Sequence, residues 1–241
     1  MAAMRALRSR IGLRVPPFWE LAAPAYDVLT RIARWDRHTA TLAAELPAAP
    51  AGRSAVVLDI GTGPGTSAGG LARALPESQI LGLDISAQML RIARRRLART
   101  PEAARRIALM QGDALALPLP DASVDAAVGQ SLLYLLSDRD RALREIARVL
   151  RPGGRLVLLE PRAGTRLGHL ARPWEPGHMI TMTAWRAYSA LRGRFEPREL
   201  TRLAERAGFS VVALRPVLRG LGLLLVAEPG RPEAGQAPPP A

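Results

Sequence analysis

The sequence predicts an α/β fold in which helices cover both faces of a mostly parallel sheet. Short apolar runs rich in Val, Ile and Leu alternate with amphipathic stretches, and this alternation continues from residue 54 to residue 161. A glycine-rich turn follows the first apolar run. Strands buried on both faces are near-continuous apolar runs, and strand–helix alternation is typical of parallel sheets. With 241 residues, the chain is long enough for one such domain with additions.

Residues 1–50 are predicted to form a helical N-terminal arm. The stretch FWELAAPAYDVLTRIARW, from Phe18, repeats apolar residues at intervals of three and four, and PAAPAG ends it. Four arginines before residue 15 interrupt any signal peptide, and no run of 18 uncharged apolar residues follows. We therefore expect a cytoplasmic protein. The basic N-terminus is also compatible with peripheral contact with an anionic membrane.

Residues 51–228 are predicted to form the main domain. Its seven strands are bounded by turn residues and read SAVVLDI (54–60), QILGLDI (79–85), RIALMQGDA (106–114), SVDAAVGQS (123–131), RLVLLEP (155–161), SVVALRPV (210–217) and GLGLLLVAE (220–228). The last two are joined so tightly that they must pair as a hairpin, so one of them runs antiparallel. The prediction is thus a Rossmann-like doubly wound sheet of about seven strands with an antiparallel C-terminal strand.

Helices are predicted between these strands. One follows the glycine turn to about Leu75, and one covers 86–100 with Ser86 as its N-cap. A third, DRDRALREIARVLRPGG (138–154), is closed by its Pro-Gly-Gly end, and a fourth covers 196–209. Residues 161–195 break the rhythm and are predicted to form a cap over the ligand crevice. Residues 229–241, rich in Pro and Gly, are expected to be disordered.

The glycine loop LDIGTGPGTSAGG (58–70) is the first candidate binding element. The dinucleotide fingerprint requires a glycine at the sixth position, and counting from Gly61 that position is Thr66. A P-loop requires a Lys, and the sequence has none. A tight strand-to-helix turn without a ligand is the remaining simple interpretation. Gly69 and Gly70 lie where the next helix propagates, so this helix either packs unusually close to a neighbour or has an irregular first turn.

Four motifs in order across residues 55–160 carry a resemblance to a known family. They are Asp59-Ile60-Gly61-Thr62-Gly63-Pro64-Gly65 after strand one, LGLDIS with Asp84 after strand two, QGDA with Asp113 after strand three, and REIARVLRPGGRLVLLEP around strand five. This pattern resembles the class I S-adenosylmethionine-dependent methyltransferases. Tyr26 and Asp27 resemble the Tyr-Asp pair that precedes the core in small-molecule members, including the quinone-precursor methyltransferases.

The resemblance implies S-adenosylmethionine as the cofactor, and the ligand's chemistry suits these residues. Amides of the turn at Gly61, Gly63 and Gly65 suit its carboxylate, and Asp59 can meet its ammonium directly or through water. Asp84 can accept two hydrogen bonds from the ribose hydroxyls, although it is also placed to act only at its helix start. The resemblance adds cofactor contacts after the next strands, at Ile85, Asp113, Ala114 and Gln130. For Asp113, a purely structural turn is the alternative.

The methyl acceptor is left open by the sequence. Acceptor-side candidates are the loop from Gln130 to Tyr134, Glu160, and cap residues His169, Trp174, Glu175, His178, Trp185 and Tyr188. We predict Tyr134 and His178 as catalytic residues, with His178 the candidate base because its ordinary pKa lies near neutrality. Packing roles are the alternative for the histidine and for the aromatic cluster. Methyl transfer from a sulfonium depends mainly on alignment, so a base is required only for a protonated acceptor.

Composition narrows the function further. Without Cys, a cytosine C5-methyltransferase nucleophile is impossible, and without Asn, both the amino-methyltransferase motif and the family's Asp/Asn metal site are disfavoured.

The net charge is +13, yet all 34 Lys and Arg positions are Arg, so the residue usage of the sequence contributes to the charge. The exposed helix arginines lack interleaved aromatics, which disfavours nucleic acid. We predict a metal-independent enzyme for a small acceptor, including lipid and quinone-like ones. The alternatives are an RNA methyltransferase and a non-catalytic cofactor-binding module, and the oligomeric state is undefined.

Overall fold

The structure is a computed structural model that describes residues 17–32, 36–165 and 176–230. Its helices lie between or beside the strands of one sheet: α1 Pro17–Ile32, α2 Asp36–Ala43, α3 Thr66–Ala74, α4 Ala87–Leu97, α5 Pro101–Ala104, α6 Arg139–Val149, α7 Pro176–Arg192 and α8 Pro197–Arg206. Short 3₁₀ turns occur at Leu133–Leu135 and Leu218–Gly220. None of the helices in these ranges is long and apolar enough to cross a bilayer.

The seven predicted strands are all present. They are β1 Ala55–Ile60, β2 Ser78–Asp84, β3 Ile107–Gln111, β4 Val124–Gln130, β5 Leu150–Pro161, β6 Phe209–Val217 and β7 Gly222–Pro229. The spatial order is β3-β2-β1-β4-β5-β7-β6. Strand β7 runs antiparallel to both of its neighbours, β5 and β6, and the other described pairs are parallel. This confirms the predicted fold. The order reverses between β1 and β4, so the crevice expected for a ligand lies beyond the carboxyl ends of these two strands.

Two apolar cores fill the space between the sheet and its helices. One contains side chains of α6 and α8, such as Leu143, Ile146 and Leu200. The other contains side chains of α2, α3 and α7, such as Leu42, Leu71 and Met182. Helices therefore cover both faces, as the near-continuous apolar strands predicted. The division into arm, domain and cap stays a prediction, and residues 1–16, 166–175 and 231–241 lie outside the described ranges.

Predicted boundaries were wrong at the end of α6, at the start of β5 and at the end of β7. The helix predicted over 138–154 ends at Val149, and β5 begins at Leu150 rather than residue 155. Leu150 is buried and pairs with Val124 of β4. Because of this pairing, the chain enters the sheet at Leu150, before Pro152. The register shifts between Val124 and Ala126, which absorbs the Pro-Gly-Gly segment as an irregularity. The last strand also continues through Pro229, one residue into the predicted tail.

The two helix glycines are explained by close packing between α3 and α2. A Cβ built on Gly70 would lie 2.8 Å from the Cβ of Thr39, which is fully buried in α2. At Gly69 the nearest atom to such a Cβ is Cδ2 of Leu97, at 3.4 Å. The first alternative, a helix packed unusually close to its neighbour, is therefore confirmed, and Gly70 is the residue that permits it.

Alanine substitutions at these adjacent glycines are expected to act in opposite directions. Gly70→Ala should lower the free energy of unfolding by about 2 kcal/mol, because the clash with Thr39 exceeds the gain in helix propensity. Gly69→Ala should raise it by about 0.5–1 kcal/mol, because its Cβ makes only an ordinary contact. Urea unfolding of both variants measures this. Effects of the same sign would show that α2 does not pack on α3 as described.

Candidate active site

A cavity of about 270 Å³ lies beyond the carboxyl ends of β1, β2 and β4. Seven of the nine predicted cofactor residues line it: Gly61, Gly63, Asp84, Ile85, Asp113, Ala114 and Gln130. They come from four separate segments of the chain, and the parallel strands bring them to one edge of the sheet. Tyr26 and Thr30 of α1 also line the cavity, so the arm contributes to its wall.

Asp84 connects the glycine loop to the start of α4. Its Oδ2 accepts a hydrogen bond from the amide of Gly63 at 2.8 Å, and its Oδ1 accepts one from the amide of Ser86 at 2.8 Å. The side-chain cap of α4 is Ser86, whose Oγ accepts from the amide of Met89 at 3.2 Å. Asp84 therefore orders both loops and lies on the cavity wall.

Asp59 and Gly65 are not among the residues lining the cavity. Asp59 is 1% exposed, and the hydroxyl of Ser67, which does line the cavity, donates to its Oδ2 at 2.6 Å. Burial raises the pKa of Asp59 to about 6. Gly65 has φ 77°, and a Cβ there would lie 3.0 Å from the Cβ of Ala93 in α4. In this structure Gly65 lets two helices approach, and direct cofactor contacts for both residues stay predictions.

Asp113 serves the turn that the sequence offered as its alternative role. Its Oδ1 accepts a hydrogen bond from the amide of Leu115 at 2.9 Å, and its side of the turn faces the cavity. The neighbouring wall residue Ile85 is held by its carbonyl, which accepts from Nε2 of Gln111 at 2.9 Å. The turn therefore positions Asp113 at the cavity wall, and an adenine contact stays a prediction.

Several buried polar atoms on the wall have no hydrogen-bond partner in the described part of the chain. They are Oε1 and Nε2 of Gln130 and Oγ of Ser131. Buried polar groups are nearly always hydrogen-bonded in folded proteins. Their location on one cavity wall indicates a polar ligand that supplies the missing partners, which fits a ligand with amino, carboxylate and hydroxyl groups.

Glu160 anchors the loop after β4. Its Oε1 accepts from the amides of Leu132 and Leu133 at 3.0 and 2.8 Å, while Oε2 has no partner among the described residues. The side chain is fully buried, and this burial raises its pKa from 4.5 to about 7. Ser131, at the bend before these amides, has φ 59°. Glu160 therefore holds a strained bend that turns Ser131 and Leu132 into the cavity wall.

Of the two predicted catalytic residues, only Tyr134 has a described side chain. Tyr134 is buried and meets Tyr188 of α7 edge-on, with ring centres 6.3 Å apart. Burial raises the pKa of its phenol, and nearby Tyr26 and Glu160 raise it further, so the phenol is suited to donate a hydrogen bond rather than to act as a base. His178 lies in α7, but its side chain is outside the described set. His169, Trp174 and Glu175 lie outside the described ranges.

The arm is tied to the glycine loop by Arg96 of α4. Its Nη2 donates to Oδ1 of Asp27 at 2.5 Å, and its Nη1 donates to Oγ1 of Thr66 at the start of α3. Tyr26, next to Asp27, lies against the loop, since a Cβ on Gly63 would be 3.7 Å from Cε1 of Tyr26. Burial raises the pKa of Tyr26 to about 12. The ion pair between Arg96 and Asp27 therefore holds α1 beside the glycine loop, so that Tyr26 of α1 lines the cavity.

Sequence reasoning missed Thr30 and Arg96 as site residues, whereas Ser131 lies in the loop from Gln130 to Tyr134 that the sequence indicated. The Tyr-Asp pair was the one signal for the arm, and its partner Arg96 lies 69 residues further along the chain. Among the described residues, no group of three or more His, Asp or Glu side chains is arranged to hold a metal. Independence from a metal stays a prediction.

Comparisons with known proteins agree with this geometry. Residues 58–158 match the family model described as a methyltransferase domain. A ubiquinone/menaquinone biosynthesis C-methyltransferase from Syntrophotalea carbinolica is 39% identical over 154 residues, which cover 63% of this chain and 62% of that protein. A malonyl-[acyl-carrier protein] O-methyltransferase from Methylococcus capsulatus is 35% identical over 173 residues, covering 69% of this chain and 61% of that protein.

The fold also has solved counterparts. The crystal structure of a S-adenosylmethionine-dependent methyltransferase from Aquifex aeolicus superposes with a TM-score of 0.57 at 19% identity, covering 73% of this chain and 83% of that one. The resemblance to the class I S-adenosylmethionine-dependent methyltransferases is therefore confirmed, in domain sequence with the quinone-precursor enzymes among the relatives, and in fold. The chain spans less than two thirds of the length of the two curated relatives described above, 62% and 61%.

Proposed function

We propose that this chain transfers the methyl group of S-adenosylmethionine to a small organic acceptor. The observation that supports it best is the set of unpartnered polar atoms of Gln130 and Ser131 on the cavity wall that also carries Asp84. The match to a methyltransferase domain in sequence, together with the fold, supports S-adenosylmethionine as the ligand. When bound, the cofactor supplies an electrophilic methyl group on a sulfonium.

The chain's own groups then have separate roles. Amides of the loop at Gly61 and Gly63 suit the carboxylate of the methionine part, and the two oxygens of Asp84 suit the ribose hydroxyls. Ile85 offers an apolar surface for adenine, with Asp113 and Ala114 beside it on the wall. These contacts orient the methyl group, and orientation supplies much of the rate in an in-line displacement.

The acceptor is proposed to be an apolar ring of the quinol class. The proposed acceptor side of the wall carries Leu132, Leu135 and Leu136. Ser131 at the bend and Ser137 at the other end are its polar residues. Such a surface suits a flat apolar molecule with one or two hydroxyl groups. Tyr134 and His178 keep their predicted catalytic roles within this proposal, together with the cytoplasmic location. Peripheral membrane contact is also part of it, because an apolar quinol resides in the lipid phase.

Transfer of an isotope-labelled methyl group tests this proposal. The protein is incubated with labelled S-adenosylmethionine and, separately, with reduced demethylmenaquinone and with malonyl-acyl-carrier protein, and products are read by mass spectrometry. Label on the quinol ring is expected. Label on the malonyl group alone would show that the acceptor is a malonyl thioester and not a quinol. Cofactor binding without transfer to either acceptor would favour a non-catalytic binding module.

A further inference from the structure

The described side chains of the arm helix α1 include polar ones that are buried and apolar ones that are exposed. Its inward face carries Tyr26, Asp27 and Thr30, which line the cavity or pair with Arg96. Its exposed positions, among the described side chains, are all apolar: Leu21, Pro24, Ala25 and Val28. Their spacing of three, four and seven residues places them on one helix face. Leu21 is 82% exposed, which a helix face turned to water alone does not require.

The cap helix α7 repeats this pattern beside α1, with which it is in contact. Its outer stripe at intervals of three and four carries no charge and consists of Ile180, Thr183, Ala187 and Leu191. Ile180 is 59% exposed and Leu191 is 84% exposed. These four residues and the four of α1 are named the roof face. Six large apolar side chains are exposed in the described ranges, and five lie on α1 and α7; the sixth, Val212, lies on β6.

The surroundings of the roof face are cationic. Neither α4, which packs against α1, nor α7 contains an Asp or Glu, and the exposed arginines of α4 include Arg91, Arg94 and Arg95. In α1, Asp27 is paired with Arg96, and Glu20 has a side chain outside the described set. Helices α6 and α8 on the other side of the molecule each contain two acids. The apolar face is therefore flanked by unbalanced positive charge.

We propose that the roof face docks on an anionic lipid bilayer. Insertion of the exposed Leu and Ile side chains removes their apolar surface from water, and the arginines of α4 meet the lipid phosphates. A neutral protein partner would account for the apolar stripes but not for the missing acids. Because the underside of α1 lines the cavity, docking brings the lipid phase within one helix thickness of the site. This inference rests on the proposed function for its purpose, whereas its test does not involve methyl transfer.

Vesicle sedimentation with matched variants tests the docking surface. The whole protein is mixed with vesicles of phosphatidylcholine alone or with added phosphatidylglycerol. The variant Leu21→Ser/Leu191→Ser removes apolar surface without changing charge, and Val212→Ser removes an exposed apolar side chain elsewhere. We expect binding to the anionic vesicles, weakened about tenfold or more in the roof variant and unchanged in the Val212 variant. Circular dichroism confirms that each variant is folded.

The other outcomes overturn the proposal in distinguishable ways. No sedimentation with either vesicle type, or equal loss in the Val212 variant, removes the roof face as a membrane surface. A wild-type dimer that the roof variant dissociates, without vesicle binding, would assign this face to a second copy of the chain. If vesicle binding follows the expected pattern while the labelled-methyl assay fails, the docking surface stands and the proposed acceptor does not.

Discussion

Asp84→Ala is expected to lower the affinity for S-adenosylmethionine by about a hundredfold. The substitution removes the two charge-assisted hydrogen bonds that Asp84 is proposed to accept from the ribose. Each would contribute about 1.5 kcal/mol, and a hundredfold change corresponds to about 2.7 kcal/mol. It also frees the amide of Gly63, which Asp84 holds at 2.8 Å. Isothermal titration calorimetry measures the change directly.

A matched control separates this effect from the start of helix α4. Ser86→Ala removes the hydroxyl that caps the amide of Met89 but keeps the backbone amide that donates to Asp84. It should lower stability by about 1 kcal/mol and leave cofactor affinity unchanged. Equal losses of affinity in the two variants would mean that Asp84 acts only by ordering the helix start.

Glu160→Gln is expected to remove a large pH dependence of stability. The pKa of Glu160 is about 7 in the folded protein and 4.5 as the ordinary value, so the folded state keeps a proton that the unfolded state releases between these pH values. The stabilisation that protonated Glu160 contributes is therefore fully present below pH 4.5 and is lost as the pH rises to about 7. The loss amounts to about 3 kcal/mol. Gln keeps an oxygen for the amides of Leu132 and Leu133 and does not titrate.

Urea unfolding of both proteins at several pH values tests the role of Glu160. The stability difference between variant and wild type should change in favour of the variant by about 3 kcal/mol between pH 4.5 and pH 8. The raised pKa of Asp59 also makes stability fall with pH, over a lower pH range. Because Asp59 is present in both proteins, its contribution cancels in the difference between them. A difference that stays constant with pH would show that Glu160 is charged in the fold throughout this range.

The sequence was most informative where function depends on strand ends. Apolar runs closed by turn residues located β1 to β4, and the resemblance to the methyltransferases then assigned Asp84, Asp113 and Gln130 to one cofactor site. The hydrogen-bond partners of these residues were harder to predict. Asp113, for example, accepts from the amide of Leu115 and so closes a turn as well as facing the cavity. Gly70 was recognised as anomalous, but its reason, Thr39 of α2, required the structure.

Long-range contacts explain what the sequence did not reveal. The pairing of Asp27 with Arg96 and the hold of Glu160 on Leu132 join residues far apart in the chain, and no local pattern encodes them. A single helix pattern also does not tell which face of α1 is inward. Here Tyr26 and Asp27 face inward while Leu21 is exposed, and periodicity alone does not predict this arrangement.

Titration of wild-type protein with S-adenosylmethionine by calorimetry is the measurement that tests the central claim most directly. The account predicts saturable binding with one molecule per chain, competed by S-adenosylhomocysteine. Absence of heat and of any protection against thermal unfolding at high cofactor concentration would contradict it. In that case the cavity beside Asp84 and the unpartnered atoms of Gln130 and Ser131 would belong to a different ligand.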